Sequence, residues 1–196
     1  HGLAAQVLRA AGAEQVGISL DLHPVRVLGD SRPEELQTAR LITDAMVNGI
    51  YLESVLQGRY PAHAPADLLP PPELVADGDM ELINQRLDFL GVNYYSPIFL
   101  RAGDPGDLRR GEEPARSAVP GVVEYRPDWL ERTTMNWLVD ADGLHEILLE
   151  VSEQAPGLPL FITENGRAAE DYVNPQGEVD DVERVRYLHT HLEAAA

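Results

Sequence analysis

The 196-residue sequence has no cysteine and no lysine, and its 15 basic residues are outnumbered by 33 acidic ones. Without cysteine the chain cannot form a disulfide framework, a thiolate nucleophile or a Cys-ligated metal site. The absence of cysteine favours a cytoplasmic protein but does not exclude other cellular compartments. The formal net charge of −18 would repel phosphate backbones and anionic lipids, so we expect neither nucleic acid nor a membrane surface as a partner. No window approaches about 18 consecutive apolar residues, so the sequence contains no candidate transmembrane helix.

Several other kinds of site are also missing. No glycine-rich phosphate fingerprint follows the first apolar run, which argues against a dinucleotide-binding fold. No Gly-x-Ser-x-Gly motif is present, so a serine hydrolase is unsupported. The histidines lie at positions 1, 23, 63, 145, 189 and 191 without metal-ligand spacing, and we therefore expect no metal site.

Three apolar runs are predicted to be buried strands, at residues 16–22, 88–95 and 158–163. Apolar residues at helical spacing predict helices up to Gly12, over 33–56 with Ser31 as the N-cap, over 142–150 and over 180–195. Two segments rich in proline or glycine, 60–72 and 101–127, are predicted to be loops. The alternation of strands and helices indicates an α/β protein with parallel strands.

Polar and aromatic side chains collect where the predicted strands end. Asp21 and His23 follow the first strand, residues 93–96 close the second, and Glu164 and Asn165 follow the third. Functional groups at the carboxyl ends of parallel strands are typical of a (β/α)₈ barrel and of an open doubly wound sheet.

The run Leu-Phe-Ile-Thr-Glu-Asn-Gly at residues 160–166 resembles the signature around the nucleophile of glycoside hydrolase family 1, the retaining β-glucosidases and their relatives. Four further segments are similar to the family in the same order: residues 16–24, 59–61, 88–96 and 134–137. The resemblance implies a partial (β/α)₈ TIM barrel, about strands five to seven with their helices, as one domain of residues 1–196. The family's general acid lies in an Asn-Glu-Pro motif, which does not occur in this sequence.

The resemblance assigns roles to four residues. Glu164 matches the catalytic nucleophile, and Tyr95 matches the phenol that hydrogen-bonds the nucleophile carboxylate. Such a donor favours the ionised carboxylate, so the two roles are chemically consistent. Asn93 belongs to the same polar shell near the sugar, and Trp137 matches a wall on the leaving-group side of the cleft.

Taken without the resemblance, the same residues have structural explanations. Glu164 could be a solvated turn residue before Asn165-Gly166. Asn93 and Tyr95 could cap a core at the end of a strand, and Trp137 could belong to a core.

The implied function is part of a retaining β-glycosidase, most simply a β-glucosidase acting on cellobiose-like oligosaccharides or aryl β-glucosides, with no cofactor required. The alternative is a non-catalytic sugar-binding or interaction domain derived from the same fold. An Asn-Glu-Pro context in the adjoining coding sequence would favour the enzyme. Because the outer strands and the inner face of such a partial barrel are open, we expect the isolated chain to be inactive and prone to association, and the oligomeric state is left open.

Overall fold

The computed structural model describes all residues, 1–196, and contains two β-sheets. The strands are β1 (Gly17–Asp21), β2 (Val25–Leu28), β3 (Phe89–Tyr94), β4 (Ile98–Ala102), β5 (Glu112–Pro114), β6 (Val122–Tyr125) and β7 (Leu160–Asn165). The α-helices are α1 (Gly2–Ala10), α2 (Pro33–Asp44), α3 (Ile50–Gln57), α4 (Asp79–Ile83), α5 (Ala141–Gln154) and α6 (Val182–Ala195). A π-helical turn, Ala45–Gly49, joins α2 to α3, and a 3₁₀ turn spans Pro72–Leu74. No helix is long and apolar enough to cross a membrane.

The first sheet has the order β1-β3-β7 with all strands parallel, as the sequence predicts for the three long apolar runs. One face of this sheet packs against helices α3 and α5. The buried cluster between them consists of Leu20, Leu22, Leu52, Val55, Leu90, Val92, Tyr94, Leu144, Ile147 and Val151. Burial of each aliphatic side chain in such a cluster contributes about 1.5–3 kcal/mol, so this layer holds the three strands in place.

The opposite face of the first sheet is open along β7. Phe161, the register partner of Gly91, lies on this face and is 55% exposed. Glu164 is also exposed, so the carboxyl end of β7 presents a carboxylate. The open inner face agrees with the expectation for a barrel of which only three strands are present.

The second sheet corrects the prediction of a loop over residues 101–127. Its order is β2-β4-β6-β5, in which β2 and β4 are parallel and the other pairs are antiparallel. Leu100, Val122 and Val123 are fully buried there. The loop prediction was wrong because β5 and β6 span three and four residues, too few for an apolar period to stand out between glycines and charges.

The predicted helix over 33–56 is interrupted. The π-helical turn separates α2 from α3, and α3 ends at Gln57, where Gly58 follows as the C-cap with a left-handed φ of 65°. Ser31 is not the N-cap, because Arg32 occupies that position with a φ of 57°. The boundaries of the other elements differ by a few residues, and β7 extends through Asn165, so Glu164 lies inside the strand rather than after it.

Candidate active site

Glu164 is oriented by an irregularity in the strand pairing. Val92 of β3 pairs with Ile162, whereas the next residue, Asn93, pairs with Glu164, so Thr163 is an extra residue in β7. A bulge of this kind redirects the side chains that follow it. Asp21 pairs with Asn93 in turn. Three polar side chains therefore follow one another across the carboxyl ends of the three parallel strands.

Tyr95 donates a hydrogen bond from its hydroxyl to Oε2 of Glu164. This hydrogen bond to the carboxylate, with a smaller contribution from burial, raises the pKa of Tyr95 to about 12. The phenol is therefore protonated at neutral pH and acts as a donor. Its neighbour Tyr94 projects to the other side of the strand, where it is buried and donates to the Asp140 carbonyl at 2.7 Å. The alternation of β3, continued by the residue that follows it, thus directs Tyr94 into the core and Tyr95 to Glu164.

Trp137 lies next to Tyr95, with their ring centroids 5.2 Å apart. The segment that carries it is tied to the end of β3, because the Leu138 amide donates to Oγ of Ser96 at 3.1 Å. The Trp137 amide donates to Oγ1 of Thr133 at 3.2 Å, and the Thr133 amide donates back to the Trp137 carbonyl at 2.8 Å. These bonds hold a partly buried indole at the site rather than in a core.

Asn93 is positioned from the same bulge. Oγ1 of Thr163 donates to Oδ1 of Asn93 at 2.6 Å, which fixes the side-chain amide beside Glu164 in the strand register. The structure therefore brings Glu164, Tyr95, Asn93 and Trp137 to one edge of the first sheet.

Asn165 has a structural role that the sequence reasoning missed. Its Nδ2 donates to the Tyr94 carbonyl at 2.8 Å and to the Tyr187 hydroxyl at 3.0 Å. These bonds connect the residue after Glu164 to β3 and to α6. Arg167 was missed as well, although its buried guanidinium joins Glu131 at 2.6 Å and Glu183 at 2.8 Å. No sequence spacing could have shown these bonds, because their partners come from separate elements.

A cavity of about 190 Å³, called the side cavity here, opens beside Tyr95 and Trp137. Its charged and titratable lining residues are Asp21, His23, Glu113, Arg116, Glu124 and Arg126. Glu164 and Asn93 do not line it, so the side cavity adjoins the nucleophile on the Tyr95 side. The second sheet forms its far wall, so the missed sheet is part of the site.

No group of three or more His, Cys, Asp or Glu side chains is arranged to hold a metal ion.

Comparison with known proteins gives a consistent result. The model of the family described as "Glycosyl hydrolase family 1" matches residues 1–196. The chain is 32% identical to a bifunctional β-D-glucosidase/β-D-fucosidase of Bifidobacterium breve, over 99% of the chain and 42% of that protein. It is 39% identical to the thermostable β-glucosidase B of Thermobispora bispora, over 99% of the chain and 38% of that protein.

A solved structure, that of a psychrophilic β-glucosidase from Micrococcus antarcticus, matches with a TM-score of 0.82 and 36% identity, over 100% of the chain and 44% of that protein. The chain thus spans about two fifths of the length of the relatives it matches. The family resemblance and the partial barrel are confirmed by these matches. The chain belongs to glycosyl hydrolase family 1, and its three parallel strands are part of a (β/α)₈ barrel.

Proposed function

We propose that the full-length protein is a retaining β-glucosidase and that this chain carries its nucleophile, Glu164. The observation that carries the proposal is the hydrogen bond from the Tyr95 hydroxyl to the Glu164 carboxylate at the carboxyl ends of adjacent parallel strands. The relatives named above, whose names are those of β-glucosidases, support the choice of substrate class.

In the first step Glu164 attacks the anomeric carbon and forms a covalent glycosyl-enzyme ester. The bond from that carbon to the leaving oxygen breaks, and the oxygen takes a proton from a general acid. In the family this acid lies in an Asn-Glu-Pro motif, which does not occur in residues 1–196. In the second step water attacks the same carbon and gives its proton to the conjugate base of that acid. The ester bond to Glu164 breaks, which restores the carboxylate and releases the sugar with net retention.

The neighbours of Glu164 have supporting roles in this scheme. Tyr95 holds one carboxylate oxygen by donation, so the other oxygen is free to attack. Asn93, oriented by Thr163, offers its amide to the bound sugar. The family resemblance assigns Trp137 to the wall on the leaving-group side, and Trp137 also lines the side cavity, which supports a position for this cavity on that side.

The proposal is tested with Glu164→Gln in the full-length protein. We expect loss of turnover of an aryl β-glucoside with an unchanged circular dichroism spectrum, because the amide keeps the shape of the carboxylate and loses its charge. A matched control is Glu170→Gln, since Glu170 is an exposed carboxylate that also accepts from a tyrosine, Tyr172, and this variant should hydrolyse normally.

Two results would contradict the proposal. Near-wild-type hydrolysis by Glu164→Gln would exclude Glu164 as the nucleophile. A wild-type protein that binds β-glucosides without hydrolysing any of them would support the non-catalytic sugar-binding alternative.

A further inference from the structure

The residue directly after Glu164, Asn165, makes two hydrogen bonds that the proposed mechanism does not use. It ends β7, the outer strand of the first sheet, in which the extra residue Thr163 interrupts the regular pairing just before Glu164. A bulge disrupts the ladder locally, so backbone pairing holds the end of β7 less firmly than it holds a regular strand. The position of the Glu164 carboxylate therefore depends on the bonds that hold the chain just beyond the bulge.

The side-chain amide of Asn165 makes those bonds. Its Nδ2 donates to the Tyr94 carbonyl at 2.8 Å and to the Tyr187 hydroxyl at 3.0 Å. An amide nitrogen carries two hydrogens, so one is used toward β3 and the other toward α6. Rotation of the amide by half a turn would place Oδ1 against the Tyr94 carbonyl, which cannot donate. We call Asn165, the Tyr94 carbonyl and the Tyr187 hydroxyl the amide clamp, and it has one orientation.

The Tyr187 hydroxyl is a fixed acceptor. The residue is 2% exposed, and its ring stacks on that of His191 with the centroids 3.7 Å apart. Nδ1 of His191 donates to the Tyr187 carbonyl at 2.8 Å, which fixes the second ring in turn. Burial raises the pKa of Tyr187, and donation from Asn165 acts in the opposite direction. The phenol is therefore neutral at the pH of the assay and rigidly held by α6.

The amide clamp lies one residue away from the hydrogen bond between Tyr95 and Glu164. Asn165 donates to the carbonyl of Tyr94, and Tyr95 follows Tyr94 directly in the chain. Glu164 precedes Asn165 and accepts from the Tyr95 hydroxyl. Two consecutive residues of one segment are thus bonded to two consecutive residues of the other, so displacement of Asn165 would carry Glu164 away from Tyr95.

We propose that Asn165 and Tyr187 are positioning residues that hold the Glu164 carboxylate on its phenol donor, in the orientation for attack on the anomeric carbon. This inference rests on the proposed function and adds to it a helix that lies behind the nucleophile strand. Reacting atoms have to be about 3–3.5 Å apart, and a misplacement of about 1 Å costs about 100-fold in rate. Loosening of the amide clamp should therefore slow the attack by Glu164.

The experiment measures kcat/KM of the full-length protein for dinitrophenyl β-glucoside. Its phenolate leaves with little acid assistance, so the rate reports the attack by Glu164. We expect Tyr187→Phe, which leaves one amide N–H without its acceptor, to lower kcat/KM about tenfold. Asn165→Ala removes both bonds and should lower it about 100-fold. Competent sites are counted with a dinitrophenyl fluoroglucoside that traps the glycosyl-enzyme, so misfolded protein does not enter the rates.

A double-mutant cycle with Tyr95→Phe separates positioning from general stabilisation. If the amide clamp acts by holding Glu164 on the Tyr95 hydroxyl, little of its effect remains once that hydroxyl is removed. In the Tyr95→Phe background, Tyr187→Phe should therefore lower kcat/KM by less than about threefold. The matched control is Tyr172→Phe, since Tyr172 is 72% exposed and its hydroxyl also donates to a glutamate, Glu170. This control should leave kcat/KM unchanged in both backgrounds.

Two results would overturn the inference. One is a value of kcat/KM within about twofold of the wild type in both Tyr187→Phe and Asn165→Ala. The other is an effect of Tyr187→Phe that is equally large in both backgrounds, because the amide clamp would then not act through Tyr95.

These outcomes are separate from a failure of the proposed function. If Glu164→Gln abolishes hydrolysis and the variants of the amide clamp behave like the wild type, only the positioning role is refuted. If Glu164→Gln hydrolyses the substrate normally, the proposed function fails and the inference fails with it.

Discussion

Substitution of Arg167 tests how much its two ion pairs stabilise the segment that follows Glu164. Its side chain is 3% exposed, and it joins Glu131, near the Trp137 segment, to Glu183 in α6. Arg167→Met replaces the guanidinium with an apolar chain of similar length. The reverse change, Glu131→Gln with Glu183→Gln, keeps the buried cation and removes both carboxylates.

The two changes should differ in cost because the partners differ in exposure. The side chains of Glu131 and Glu183 are 42% and 56% exposed, so both carboxylates stay hydrated when Arg167 is lost. Glu131 also keeps Arg186 at 2.6 Å. At such exposure each lost pair costs about 1 kcal/mol, and burial of the methionine offsets part of it, so we expect a net loss of about 1–2 kcal/mol. Removal of both carboxylates strands a buried charge and should cost about 3–5 kcal/mol.

The assay is thermal unfolding of the full-length variants, followed by circular dichroism at one scan rate. Arg167→Met should unfold a few degrees below the wild type, and the double glutamine variant should unfold well below Arg167→Met. Arg186→Met is the control, since this arginine is 59% exposed and pairs with the same Glu131, and its effect should be small. If Arg167→Met is at least as destabilising as the double variant, the reasoning from burial is refuted.

Three further predictions follow from the site and the core. Tyr95→Phe should lower kcat/KM for an aryl β-glucoside by about 10–100-fold, because it removes a donor to a charged group; an unchanged value would exclude that role. Burial lowers the pKa of His191, so below about pH 6.5 the unfolded chain binds more protons than the folded chain, and the stability of the protein should fall as the pH falls through that value. In thermal unfolding from pH 5 to 7.5, the His191→Phe variant should show a flatter pH dependence than the wild type. The isolated chain should not hydrolyse glycosides and should bind a hydrophobic dye through the open face around Phe161; a monomer with parent-like activity would contradict this.

The first sheet could be predicted from the sequence because its strands are long apolar runs, whereas the second sheet has short strands that contain charged residues. Each strand of the first sheet is an apolar run of five or six residues packed on helices, and runs of this kind are visible without any partner. In the second sheet, Glu112 is buried in β5 because Arg101 of β4 bonds its carboxylate and the Arg109 amide donates to it at 2.6 Å. A buried glutamate in a three-residue strand cannot be distinguished from a surface charge until its partner is known.

Some residues of the site are marked by a sequence motif, whereas the positions of others depend on partners from distant elements. Glu164 and Tyr95 lie 69 positions apart, and the sequence connected them through the ends of two predicted strands and through the family resemblance. Asp21 and His23 were visible as polar residues at the end of a strand, but the position of the histidine depends on Asn48 and Ser96, which come from a π-helical turn and from the end of β3. Because the irregular turn and the second sheet both lack a visible apolar period, the walls of the side cavity come from parts of the fold that the sequence pattern does not show. The proposed nucleophile Glu164 and its donor Tyr95, in contrast, lie on or directly after regular strands, which is why the apolar runs of the sequence pointed to them.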